Sequence, residues 1–87
     1  MLERKAKEKI IEKFKVHPTD TGSPQVQIAL LTAEMKDLSE HLRSHKKDFS
    51  SRRGLLRKVN ERRKLLRYLA RENRESYDDL AEKLKLK

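Results

Sequence analysis

The stretch HLRSHKKDFSSRRGLL, residues 41–56, sets His41 and His45 four apart with Asp48 three further on. On one continuous helix that spacing would gather two imidazoles and a carboxylate, the donor set of a metal site. Lys46 and Lys47 would repel a cation, and Asp48 falls where the chain has to reverse. No metal or cofactor is therefore expected. A Gly-rich phosphate loop, a nucleophile elbow and a carboxylate pair on a shared apolar face are all missing, so the residues point to no enzyme. What remains is a cluster of donors and acceptors, able to read the hydrogen-bonding edges of a partner.

Such a cluster needs a scaffold, and periodicity supplies one. Ile28, Leu31, Met35, Leu38 and Leu42 recur at intervals of 3, 4, 3 and 4, a single seam on one helix face. Leu55, Val59, Leu66 and Leu69 form a matching seam, which Leu56, Leu65 and Ala70 widen. Leu2, Ala6, Ile10, Ile11 and Phe14 repeat at helical spacing near the start, as do Tyr77, Leu80, Ala81 and Leu84 near the end. These patterns predict an all-α domain of four helices spanning residues 1–87 as a single unit. Helices two and three should form a long antiparallel hairpin packed with helix four. The orientation of helix one stays open. HPTDTGSP at 17–24 marks the first break, where Ser23 caps and Pro24 starts helix two. SHKKDFSS marks the second, and Asn73 is suited to cap the last helix.

At 87 residues, with 34% apolar and 43% charged side chains, the chain can hold one modest core. It lacks cysteine, and no apolar run approaches the roughly 20 residues of a membrane span. A cytoplasmic protein without a membrane partner is the expectation. The net charge of +9 is unevenly placed. Residues 43–74 carry 13 Lys and Arg against Asp48, Glu61 and Glu72, whereas residues 1–42 hold seven of each sign. Self-repulsion on that scale calls for a polyanion, with nucleic acid the leading candidate.

Within the basic segment, some residues could do more than attract phosphate. Gln27 and His41, 14 positions apart, return to within about 40° of each other and lie roughly 21 Å apart along one helix. Arg57, Lys64 and Tyr68 share a stripe beside the apolar seam of helix three. In an antiparallel hairpin Tyr68 comes level with Gln27, while Asp48 and Ser51 lie near His41. Two polar clusters should mark the ends of one rod. No apolar residue of the basic segment reads as free to wedge into a nucleic-acid groove.

DTGSPQVQIALLT at 20–32, HLRSHKKDFSSRRGLL at 41–56 and RRKLLRYL at 62–69 closely resemble the bacterial small-subunit ribosomal protein number fifteen family, in register over nearly the whole chain. The resemblance implies a four-helix protein, monomeric when free, whose partner is small-subunit ribosomal RNA. It implies contacts at a three-way junction by Thr21, Gly22, Gln27, Lys64 and Tyr68. It implies contacts at a G·U/G-C minor groove by His41, His45, Asp48 and Ser51, with Arg53 and Arg57 on phosphates. A place in the ribosome beside other central-domain ribosomal proteins, near the large subunit at the interface, follows from the same likeness, as does an early role in assembly. The alternative is a nonspecific basic helical protein that binds nucleic acid. Glu34, the pair Phe49 and Ser50, and Lys85 depart from the family's usual residues, Lys85 replacing a common Gly.

Overall fold

The computed structural model describes residues 3–18 and 22–85. Among these the chain forms four helices and no strand: α1 (Arg4–Phe14), α2 (Pro24–Ser44), α3 (Phe49–Glu72) and α4 (Arg74–Lys83). α2 and α3 make the most extensive contact, with α1 laid against α2 and α4 against α3.

Each long helix starts on a side chain suited to the task. The Ser23 hydroxyl accepts from the Val26 amide at 3.3 Å, with Pro24 in the first turn. Asn73 accepts from the Ser76 amide at 3.1 Å to start α4, while its own amide donates to the Leu69 carbonyl and closes α3. One residue therefore satisfies orphan groups of two helices. α3 begins at Phe49, earlier than a break running through residue 51 would allow. Asp48 is its N-cap, accepting from the Ser51 amide at 3.0 Å. The reversal shrinks to His45–Asp48, because residues that read as turn formers are also good first-turn residues once capped.

The core lies towards one end of the rod. Val26 and Ile28 are fully buried, and Leu69, Leu80 and Ala81 nearly so. Burial of a side chain of this kind contributes about 1.5–3 kcal/mol. Phe14, Leu66, Tyr77 and Leu84 pack against the cluster of Ile28, Leu69 and Leu80. That contact settles the orientation of α1: its C-terminal end docks where α2, α3 and α4 converge. α1 has no fully buried residue and no side-chain cap; it lies against α2 with Ala6, Ile10 and Ile11 partly buried. The principal extents, 40 × 27 × 19 Å, describe an elongated body from which the hairpin turn projects.

Two leucines in sequence cannot both face α2, since neighbours on a helix differ by 100°. Leu55 is half-buried, whereas Leu56 is 61% exposed and leaves the seam it was expected to widen. Phe49, 58% exposed, also lies on the outside of α3. The basic segment thus does present free apolar side chains, contrary to the sequence expectation.

Lys85, just past the end of α4, has φ 57°, in the left-handed region. Left-handed backbone costs an L-residue about 1–2 kcal/mol and is the natural place for glycine after a helix. Lys85→Gly is expected to raise stability by about 1 kcal/mol in urea unfolding; an unchanged or lower midpoint would contradict this strain.

Candidate nucleic-acid interface

At the turn, α2 and α3 are closed by a polar network instead of apolar packing. The Asp48 carboxylate accepts from the Ser51 amide at 3.0 Å, the Ser51 hydroxyl at 2.6 Å and His41 Nε2 at 2.8 Å. The last bond ties the end of α2 to the start of α3. These donors hold the Asp48 carboxyl well below the usual carboxylate range, the Ser51 hydroxyl having the largest effect, then the Ser51 amide, then His41. Asp48 is thus a cap and a brace. About one of its roughly four lone-pair directions remains for another donor.

The two imidazoles stack with ring centres 4.3 Å apart and planes 4° from parallel. His45 Nδ1 lies 3.1 Å from the His41 carbonyl and 3.0 Å from the Ser44 hydroxyl, so one tautomer donates to the carbonyl and the other accepts from the hydroxyl. In neutral His41, Nε2–H donates to Asp48 and Nδ1 is the acceptor. The pair presents ring nitrogens able to donate or accept at an exposed tip. His41, His45, Asp48 and Ser51 come together there as expected, with one carboxylate oxygen, Asp48 Oδ2, shared by His41 and Ser51. Among the described residues no group of three His, Cys, Asp or Glu side chains is disposed to hold a metal ion.

At the other end, Gln27 Nε2 donates to the Gly22 carbonyl at 2.6 Å, fixing the loop against the first turn of α2. Gly22 does not adopt positive φ, and a Cβ there would meet nothing within 4 Å. A left-handed turn is therefore not the reason for glycine. Thr21 lies outside the described residues. Gln27, Leu30 and Glu34 of α2 face Glu61, Lys64 and Leu65 of α3 across a groove of about 460 Å³. Gln27 and Lys64 thus share one site. Tyr68, one turn beyond Lys64, is 46% exposed, with the Arg71 guanidinium 5.8 Å from its ring centre. The ring, nearly half exposed, sits beside this cation. Arg53 and Arg57 are exposed on α3, and neither bonds to the turn network.

Sequence reasoning missed what joins the ends. Glu34, on the stripe of Gln27 and His41, pairs with Lys58 across the hairpin at 3.0 Å, with side chains only 19% and 21% exposed. Thr32 Oγ1 accepts from Arg62 at 3.3 Å while donating to the Ile28 carbonyl. Both cross-links fix the register of α2 on α3. Charged positions flanking two apolar seams were the available signal.

Fold and surface define a class: a small, strongly cationic, all-helical domain whose helical hairpin presents separate hydrogen-bonding clusters towards its two ends. The sequence pattern described as ribosomal protein S15 matches residues 7–87, and the chain belongs to that family. It is 55% identical over 87 residues to the small ribosomal subunit protein uS15 of Thermoanaerobacter sp. (strain X514), covering all of this chain and 99% of the relative. The protein of that name from Fervidobacterium nodosum is 56% identical over 81 residues, 93% of this chain and 96% of the relative. These are ribosomal proteins, not enzymes.

Two outcomes are expected. Asp48 has a depressed folded-state pKa, so the stability it contributes is present above about pH 4 and lost as pH falls towards its folded value. In unfolding titrations between pH 7 and pH 2, Asp48→Asn should be less stable than the parent at neutral pH, with the gap closing in acid; a constant gap would contradict the network. Lys58→Ala should cost about 1–3 kcal/mol by leaving Glu34 half-buried without its partner, and adding Glu34→Gln should recover part of that loss.

Proposed function

We propose that the chain is an RNA-binding constituent of the small ribosomal subunit, in the cytoplasm, that grips small-subunit ribosomal RNA at two places on one side of the α2–α3 hairpin. The observation carrying this reading is that Gln27 and His41, on one stripe of α2, each stand within a separate polar cluster completed by α3. The family membership and the named relatives support it.

At one end Gly22, Gln27, Lys64 and Tyr68, with Thr21 beside them in sequence, would meet a three-way junction. There the exposed ring of Tyr68 suits an unstacked base or a sugar. At the other end His41, His45, Asp48 and Ser51 would enter the wide, shallow minor groove of a G·U/G-C element. Guanine amino groups and 2′-hydroxyls are donors, and the tip offers imidazole nitrogens and the remaining carboxylate direction as acceptors. Arg53 and Arg57 would hold phosphates and set register without reading sequence. A rod that engages both elements at once fixes their relative geometry. That is the physical content of an early role in assembling the central domain, beside other ribosomal proteins and near the large subunit. Such a chain is expected to be monomeric when free.

The test compares junction RNA, a broken-junction variant and duplex DNA at constant salt. Junction RNA should bind tightest, and His41→Ala should weaken it by about 1–3 kcal/mol, as for loss of a good base contact. Arg57→Ala should weaken every RNA alike and flatten the log–log salt slope by about one. Equal affinity for all three ligands would favour a nonspecific basic helical protein instead.

A further inference from the structure

α3 has a second cationic flank, rotated by about 135° from the stripe of Arg57, Lys64 and Tyr68. There a groove of about 320 Å³ runs between α3 and α4, floored by Val59, Leu66, Ala70 and Tyr77 and rimmed by Arg63 and Arg67. Arg62 completes its inner wall, its guanidinium drawn to Thr32. No carboxylate lines it. Leu56 and Phe49, both largely exposed, lie on α3 below the rim arginines, about 60–100° round the helix from Val59 and Leu66, with the Arg52 guanidinium 5.8 Å from the Phe49 ring centre. None of these residues belongs to either cluster on the junction side.

From this arrangement we infer that the α3–α4 groove is a second RNA site, taking an unpaired strand while the junction side is occupied. The inference rests on the RNA reading above and extends it to a surface that reading leaves unused. Charge complementarity selects the occupant: arginines on the rim match phosphates, and their planar guanidiniums also stack on bases. The floor suits the apolar faces of splayed-out bases, which every nucleotide has, so binding there is tolerant of sequence. A duplex keeps its base faces stacked inside and would leave Leu56 and Phe49 against water. The distance from Phe49 to Arg67, roughly 27 Å along α3, suits several successive nucleotides. The chain would then tie a folded junction to a neighbouring single strand.

The experiment saturates the full chain with one equivalent of unlabelled junction RNA and titrates a fluorescein-labelled adenosine octaribonucleotide, followed by anisotropy. The octamer should bind without releasing the junction RNA. Arg63→Glu/Arg67→Glu should weaken the octamer by about tenfold or more, and junction RNA by less than about threefold. Lys5→Glu/Lys9→Glu, an equal charge change on α1, should leave octamer affinity nearly unaltered. Circular dichroism checks that the variants stay helical, and Arg63→Gln/Arg67→Gln serves if the glutamates disturb α3. An octamer that displaces junction RNA, or binds the groove variant as well as the parent, overturns the inference. So does a Glu/Leu amphipathic peptide that binds the groove in preference to the octamer. If the parent fails to prefer junction RNA but still binds the octamer through the groove, the junction reading falls and the groove stands.

Discussion

The register between α2 and α3 is the constraint on which everything else depends. An apolar seam alone would let two antiparallel helices slide or rotate, since leucines exchange partners at modest cost. Here Glu34 to Lys58, Thr32 to Arg62 and His41 to Asp48 cross-link the helices at successive levels. The half-buried Glu34–Lys58 pair is the most specific of these, because a shift of one turn would strand a charge in a place that water reaches poorly. With the register fixed, Gln27 must face Lys64, and His41 must meet the start of α3.

The core and the polar network divide the work along the rod. Near Gln27, α1 and α4 converge on Ile28, Leu69 and Leu80, and apolar burial holds the clusters in place. Towards the turn His41, His45, Lys46 and Phe49 are exposed, and an apolar tip would be left in water. Asp48 replaces packing there: one carboxylate starts α3, orients Ser51 and holds His41. The groups that build the turn are also those that a partner would meet. Order and recognition are therefore coupled at this end, and substitution of Asp48 disturbs both.

Much of this was legible in the amino-acid sequence for local reasons. The 3, 4, 3, 4 spacing of Ile28 to Leu42 fixes the face of α2, and Ser23–Pro24 and Asn73 announce helix starts through chemistry that needs no tertiary context. The misses are places where a local signal has two meanings. Asp-Phe-Ser-Ser reads as a turn or as a capped first turn, and only the pull of His41 and the α2 seam decides for the latter. Leu56 counts as core by type but not by angle. The docking of α1 through Phe14 and the Glu34–Lys58 pair depend on residues far apart in the chain, which spacing cannot reveal. For the site, the stripe of Gln27 and His41 was readable, whereas the bracing role of Asp48 required its three partners to be seen together.

Because the chain contains no cysteine, spin labels can be placed at will. The decisive measurement is the distance distribution by double electron–electron resonance between nitroxides on Glu40→Cys near the turn and Glu72→Cys at the far end of α3. A pre-formed rod gives one narrow distribution in the free chain, unchanged when junction RNA is bound. A broad distribution that narrows or shifts on binding would show that RNA imposes the hairpin geometry, and would contradict the account.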